Sequence, residues 1–415
     1  MQPLRGTKDI LPHQMIYWQH IYTKASAILS LHNYSEIRTP IIESTNLFQR
    51  TIGEETDIIN KEMYTFTDQS KRNITLRPEA TASIARAFVN NKLYQNQLQK
   101  LWYLGPMFRY ERPQSGRQRQ FHQLGIECIG SLSPMADAEV IHLANELLYQ
   151  LELRDYILEI NSIGSLEERQ MYKIDLVEYL SQYKKDLDED SQNRLYSNPL
   201  RILDSKNIKT QEILQYAPNL NKYLNKTSAE HFCLVCTHLD NLNIPYTINF
   251  RLVRGLDYYN QTTFEMKTNS QDGQNTICGG GRYDNLIEQI GGPKTPAVGW
   301  AIGLERLLKI IEKELTLSQQ PINVYIATQG LKAQKKIWEI IQNLEKENIK
   351  FELDLSNTSF QKQVKRASKL GAKFCIILGD QEIHDNCITT RKLDERKQYT
   401  MSYSTFLEEI YKLKH

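Results

Sequence analysis

The sequence predicts an α+β core that is interrupted by a helical insertion and followed by a smaller C-terminal α/β domain. Three observations carry this. Residues 1–165 mix apolar residues at helical spacing with short runs of strand character. Residues 166–243 turn polar and charged, keep the helical spacing and lose the strand signals, which return in 244–312. Beyond a linker at 313–321, residues 322–415 alternate strand and helix, the pattern of a small mixed sheet with helices on both faces.

Taken in order, Trp18–Leu31 has the apolar spacing of a helix. Ile37–Ile42 reads as a strand whose Pro40 suits an edge or an interface. Thr75–Leu76 ends a strand, Pro78 stops it, and Ala82–Val89 continues helically. Ser228–Asn243 reads as a helix with Phe232, Val235 and Leu239 on one face. Tyr246–Val253 and Thr262–Lys267 read as strands and Cys278–Asp284 as a glycine-rich turn. Ala297–Leu308 reads as strand, glycine break and helix. In the tail, strands at Asn323–Ala327, Phe351–Leu355 and Phe374–Leu378 alternate with helices at Leu331–Asn348 and Phe360–Leu370. Two more strands flank Asp394–Lys397, and a last helix starts near Thr405.

The chain has 415 residues, 40% hydrophobic and 24% charged, with a net charge of +2. That balance does not announce nucleic acid. Residues 321–415 are mildly basic, with 16 Lys and Arg against 12 Asp and Glu, which is compatible with an RNA partner. No apolar run approaches the roughly 18 residues of a membrane span, and the N-terminus has no apolar signal core, so no membrane partner and a cytoplasmic protein are expected. Six scattered cysteines fit free thiols. Cys233 and Cys236 lie near His238, but no second ligand pair stands at matching spacing, and no zinc is expected.

The most telling segment is Arg109–Gln123, RYERPQSGRQRQFHQ, between the strand-like runs Leu101–Leu104 and Leu124–Ile129. It reads as a long hairpin with four arginines in or beside its loop and Phe121 at the loop's exit. Guanidinium forks grip phosphate oxygens bidentately, and a phenyl ring offers a stacking face, so the hairpin suits a polyphosphate bearing a flat base. Three further groups join it: Arg77-Pro78-Glu79-Ala80-Thr81, Arg251–Tyr259, and Gly299–Leu307 with Arg306 on a helix start. Tyr258 and Tyr259 would point to opposite faces if their segment were extended. Singly, each group also suits an ordinary role: core tyrosines, a surface ion pair for Arg306, a helix N-terminal acid for Glu79.

Together, and in this order, these segments resemble the class II aminoacyl-tRNA synthetases, specifically the histidyl-tRNA synthetase family of the bacterial type. Ile37–Glu43 with Pro40 resembles motif 1, the dimer-interface element, Phe108–Cys128 motif 2, and Gly299–Leu308 motif 3. Leu252–Tyr259 and Gly279–Asp284 resemble the two signatures peculiar to the histidine enzymes. The resemblance implies an antiparallel catalytic sheet of six or seven strands with flanking helices, a C-terminal anticodon-binding domain, and a cytoplasmic homodimer. The implied substrates are L-histidine, ATP with Mg2+, and tRNA(His). The implied reaction forms histidyl-adenylate and pyrophosphate, then transfers histidine to the tRNA 3′ end.

By position in the motifs, the resemblance implies that Arg109 contacts the α-phosphate and Glu111 the adenine or a metal. Arg117 reaches the β- and γ-phosphates with Arg119 in support, Phe121 stacks on adenine, and Arg306 pins the γ-phosphate. Arg254 holds the α-phosphate and the histidine carboxylate together. Glu79, Thr81 and Gln123 receive the α-ammonium, and Glu127 and Tyr259 the imidazole, with Tyr258 as a wall. Arg112, Gln114 and Gln118 are candidates for touching the tRNA acceptor end. Ala80, Tyr110 and Trp300 depart from the commonest residues of the family without removing any of these groups. The rival reading is a non-catalytic regulatory subunit of histidine biosynthesis built on the same core. Such a chain is expected to lose the motif 2 or motif 3 arginines and the C-terminal domain, all of which are present.

Overall fold

A computed structural model describes residues 1–53, 56–96, 98–113, 116–268, 275–317 and 321–414. The chain divides into two compact units, Met1–Leu317 and Ser318–His415.

In the first unit, α1 (Pro12–Leu31) leads into β1 (Ser35–Glu36), β2 (Ile42–Ser44) and α2 (Thr45–Ile52), then β3 (Tyr64–Thr67), β4 (Asn73–Leu76) and α3 (Thr81–Asn90). Next come β5 (Gln99–Phe108), β6 (Gln120–Ile129), α4 (Pro134–Gln150) and β7 (Tyr156–Ser162). Four helices follow: α5 (Leu166–Ser181), α6 (Glu189–Arg194), α7 (Ile208–Leu214) and α8 (Lys226–Asn241). The unit closes with β8 (Thr247–Ile248), β9 (Asn260–Thr268), β10 (Thr276–Arg282), α9 (Leu286–Gln289), β11 (Ala297–Gly303) and α10 (Leu304–Glu314).

Eight strands form the main sheet in the order β1-β5-β6-β11-β10-β9-β7-β8. The six inner strands are antiparallel throughout, and the two-residue strands β1 and β8 add parallel edges. One face carries the apolar residues of α1, α4, α8 and α10, among them Ile21, Leu143, Val235 and Leu307, packed on Ile126 and Trp300. The other face holds Tyr258, Tyr259 and Tyr283 together with buried residues of the helical stretch such as Leu176 and Ile202. A pleated strand sends successive side chains to opposite faces, so Glu127 and Cys128, adjacent in β6, serve different layers.

Three local expectations are corrected. Ile37–Ile42 is not one strand: pairing ends with the Ile37 N–H donating to the Trp102 carbonyl, Pro40 has no N–H to continue a ladder, and β2 begins only at Ile42. Tyr246–Val253 shrinks to Thr247–Ile248, because Asn249 turns the chain, its carbonyl accepting from Leu252 N–H and its side chain from Arg251 N–H. The glycine run Cys278–Gly281 is no turn but the middle of the inner strand β10, where missing side chains make room for other groups.

The second unit holds β12 (Val324–Gln329), α11 (Leu331–Lys346), β13 (Phe351–Leu353), α12 (Phe360–Lys369), β14 (Phe374–Gly379), α13 (Asp380–His384), β15 (Cys387–Lys392), β16 (Lys397–Ser402) and α14 (Tyr403–Glu409). Its sheet runs β13-β12-β14-β15-β16, parallel across the first three strands and antiparallel after them. Val324 and Ile326 face α11 and α14, while Tyr325 and Ala327 face α12, so helices cover both sides.

Candidate active site

The long hairpin is present: β5 and β6 pair from Gln99↔Ile129 to Phe108↔Gln120, and the loop between them carries the arginines. Phe121, Gln123 and Glu127 fall on one face of β6, and Gln123 and Glu127 line a cleft of about 680 Å³. Glu79, Thr81, Arg109, Glu111, Arg117, Arg254, Tyr258, Tyr259 and Arg306 line the same cleft. Phe121 and Gln118 line its continuation of about 200 Å³, with Arg109, Arg117 and Arg306.

One end of the cleft is acidic and buried. Glu127, 1% exposed, accepts from Thr81 Oγ1 at 2.7 Å and from the Tyr283 hydroxyl. Burial pushes its carboxyl up to about 8, while those two hydroxyls pull it back. The space for this carboxylate exists because its cross-strand neighbour is Gly299, where a Cβ would collide with it. Glu79 is 3% exposed and caps α3, accepting from Thr81 N–H at 2.7 Å and Ala82 N–H at 2.8 Å. Burial raises its carboxyl above the usual range, and the two N–H donors oppose that. The helix-capping role and a place in the cleft therefore coincide in one residue. Gln123 Oε1 and the Tyr103 hydroxyl are buried here without hydrogen-bond partners.

The other end is cationic. Arg109 donates to the Pro78 carbonyl at 2.9 Å, and its guanidinium lies 5.2 Å from the Phe121 ring centroid. Glu111 stands between Arg109, at 3.9 Å, and Arg117, at 3.2 Å. Arg306 donates to the Thr276 carbonyl, and burial with the like charge of Arg117 holds its pKa below the ordinary value. Arg254 pairs with Glu265 and lies against Gly279, where a Cβ would strike its guanidinium. Burial opposes the charge of Arg254, but the Glu265 carboxylate outweighs it and its pKa is raised.

Other expected residues fall elsewhere. Arg119 does not line the cleft. Its guanidinium stacks on Tyr110, 3.7 Å from the centroid, and its N–H donates to the Gly6 carbonyl. Cation–π stacking on the loop's own tyrosine turns it away. Arg112 is exposed on the loop, and Gln114 lies outside the described residues. Pro40 is exposed, away from the cleft. Tyr258 and Tyr259 do not point to opposite faces: their segment is a turn, and the rings sit 4.7 Å apart at 45°, both walling the cleft. Tyr283 was not singled out in advance, although it sits inside the Gly279–Asp284 signature. Tyr103, one strand over, carries no sequence signal beyond an apolar run.

Buried carboxylates at one end and guanidinium groups at the other make a cleft that suits a cationic or hydrogen-bonding side chain beside a polyphosphate. Residues 6–307 match the family model described as histidyl-tRNA synthetase, and residues 323–413 match that of an anticodon binding domain. The chain belongs to the histidyl-tRNA synthetase family. A chloroplastic histidine–tRNA ligase of Gracilaria tenuistipitata var. liui is 78% identical over all of this chain and 99% of that one. A histidine–tRNA ligase of a Cyanothece species is 51% identical over 98% and 95% of the two chains. The apo histidyl-tRNA synthetase of S. aureus superposes with a TM-score of 0.82 at 36% identity, covering 99% of this chain and 100% of that one. The match over residues 6–307 lies within the first unit, and these likenesses do not favour the regulatory-subunit reading. No helix among the described residues is long and apolar enough to cross a membrane.

Proposed function

We propose that this synthetase activates L-histidine with ATP and transfers it to the 3′ end of tRNA(His). The observation that carries the reading is Glu127, a buried carboxylate held by Thr81 and Tyr283 at the end of a cleft whose other end is lined by arginines. A histidine carboxylate oxygen attacks the α-phosphorus, the bond to pyrophosphate breaks, and the terminal ribose hydroxyl of the tRNA later displaces AMP. The attacking group is supplied by the substrate, so the protein contributes positioning and charge stabilisation.

In this reading Glu127 and Tyr259 engage the imidazole, with Tyr258 as wall and Tyr283 fixing the Glu127 carboxylate. Glu79, Thr81 and Gln123 receive the ammonium, for which the unpartnered Gln123 Oε1 is a ready acceptor. Arg254 spans the α-phosphate and the amino-acid carboxylate. Arg109 serves the α-phosphate, Arg117 and Arg306 the outer phosphates, and Phe121 the adenine. Arg119 supports the loop through Tyr110 without contacting phosphate. Arg112, Gln114 and Gln118 meet the acceptor end of the tRNA. A buried polar pocket rejects amino acids that would leave its groups unpaired, by up to about 10⁴–10⁵-fold.

Mg2+ fits this site. Such an ion takes one or two carboxylates plus substrate phosphates, and Glu111 is the carboxylate among the cleft's arginines, its buried Oε2 in an ion pair with Arg117 at 3.2 Å that meets no hydrogen-bond geometry. Glu111 would hold it, and the ion would neutralise phosphate charge. We assign 166–243 as the insertion and 322–415 as the anticodon-binding domain, which the match over 323–413 supports. A homodimer through the Pro40 segment is supported by Ile42 and Phe66, both about half exposed on one face of the β2-β4-β3 sheet. A reducing compartment that carries out translation suits the free thiols; cytoplasm and plastid both qualify, and the 78%-identical relative is named chloroplastic.

ATP–pyrophosphate exchange measured with each amino acid in turn tests the reading. Exchange with histidine alone is expected, and exchange with another amino acid, or with none, would refute it.

A further inference from the structure

We propose that Glu265 is a positioning residue for the reaction, bridging the two sides of the phosphate site. One of its carboxylate oxygens holds Arg254, and the other holds the hydroxyl of Thr276, whose carbonyl holds Arg306. The proposal rests on the histidine-activating reading above and has Glu265 act through the two arginines.

Glu265 lies midway along β9 and lines the cleft, while its neighbours Phe264 and Met266 point into the apolar layer behind the sheet. An acid is out of place there on two counts. Its side chain is 14% exposed, so water does little to solvate the charge. It also faces a cleft that receives a polyphosphate, which a like charge repels. Its partners answer both. Oε1 accepts from Arg254 Nη1, and Oε2 accepts from Thr276 Oγ1 at 3.0 Å and stands 3.3 Å from Lys267 Nζ. Lys267 is shared with Glu159, 2.7 Å away on the neighbouring strand β7. The row Arg254, Glu265, Lys267 and Glu159 alternates in sign and sums to no net charge.

Two features of β10 make room for the bridge. Directly across the ladder from Glu265 is Gly279, where a Cβ would strike the Arg254 guanidinium. The missing side chain is the space through which Arg254 reaches its acid. The ladder then shifts register between Thr276 and Cys278. A bulge disrupts the ladder locally and re-aims side chains. Here Thr276 donates its hydroxyl to Glu265 and accepts Arg306 on its carbonyl. Arg254 keeps its Nε buried and without a hydrogen-bond partner. An orphan donor is costly when buried, and a substrate oxygen would satisfy it. Glu265 thus fixes the guanidinium through Nη1 and leaves Nε for the substrate.

The test is a mutant cycle on the full chain. Glu265→Gln keeps the side chain's shape and removes the charge that fixes Arg254. It is expected to slow single-turnover formation of histidyl-adenylate by about 100-fold, the effect of misplacing a catalytic group by an ångström, and to change equilibrium histidine affinity far less. Thr276→Val removes only the hydroxyl link toward Arg306. It should raise the ATP KM by roughly tenfold, the lower worth of a hydrogen bond to a charged group, with histidine affinity unchanged. On an Arg254→Ala background, Glu265→Gln should cost no more than Thr276→Val does, because residues that act through one another are not additive. A full multiplicative loss on that background would overturn the positioning role, and so would an ATP KM that Thr276→Val leaves unchanged. If circular dichroism shows that Glu265→Gln does not fold, the Thr276→Val result decides alone. A parent chain without histidine-dependent pyrophosphate exchange would overturn the functional reading; a parent that exchanges, with variants that match it, would overturn the bridge only.

Discussion

In the proposed function, Glu127 concentrates the chemistry of specificity in one carboxyl. Burial raises it to about 8, whereas free imidazole titrates near 6.5. In the proposed complex a protonated carboxyl would meet a neutral imidazole between those values, and one proton would join the two groups in a hydrogen bond. The histidine KM is therefore expected to be lowest between about pH 6.5 and 8 and to rise on either side. Glu127→Gln should abolish the alkaline rise and raise KM about 10- to 150-fold, the worth of a hydrogen bond to a charged group; KM measured across pH checks both. The same shift bears on stability. The folded value lies above the unfolded value of about 4.3, so the contribution of Glu127 is complete below that pH and is lost as pH rises through about 8. In thermal melts, Glu127→Gln should flatten the decline in this window. Arg254 pairs with Glu265 and lies against Gly279, and its proposed task is to bridge the α-phosphate and the amino-acid carboxylate. Arg254→Ala should lower the rate of adenylate formation far more than histidine affinity, and equal losses in a single-turnover assay and in equilibrium binding would contradict its bridging role.

At the scale of elements, β10 shows why the glycines are there. Gly279 faces the Arg254 guanidinium and Gly280 packs against the Trp300 side chain and the Gly299 carbonyl, so added methyl groups collide. Gly279→Ala should cost about a hundredfold in pyrophosphate exchange, the typical effect of displacing a catalytic group by an ångström, with the melting temperature little changed. The strand is fastened to α4 by Arg282, whose guanidinium pairs with the fully buried Asp137. Breaking such a pair by Arg282→Met should destabilise the fold by about 3–5 kcal/mol, measurable by denaturant unfolding. The hairpin, α3, α8, β11 and α10 were legible because apolar spacing and capping are local properties. The glycine run reads as a turn in the sequence because its meaning lies in partners 25 and 20 residues away, Arg254 and Trp300. The arginines that line the cleft are legible as a motif, but the fate of Arg119 is decided by a ring, Tyr110, that only the folded loop brings beneath it. Tyr103 gave no signal, because a buried strand tyrosine and a site tyrosine look alike until the cleft forms.

For the molecule as a whole, the near-neutral net charge concealed a strongly polarised cleft, since its buried carboxylates and arginines nearly cancel in any sum. The surface carries a second message. Ile42 and Phe66 share one face of the three-stranded sheet, next to the exposed Ile41, an apolar patch of the sort that marks association. Ile42→Asp is expected to convert a dimer into a 48.5 kDa monomer in sedimentation velocity; a parent chain already monomeric at micromolar concentration would remove the dimer from the account. The central claim is that the cleft makes histidyl-adenylate and passes its histidyl group to tRNA, releasing AMP. It is tested most directly by incubating the full chain with ATP, Mg2+, a tRNA(His) transcript and each radiolabelled amino acid separately, and counting label on the RNA 3′ end. Label from histidine alone is expected, with one AMP and one pyrophosphate released per histidine attached. Histidine binding without any charged tRNA would contradict it and return the chain to the regulatory reading.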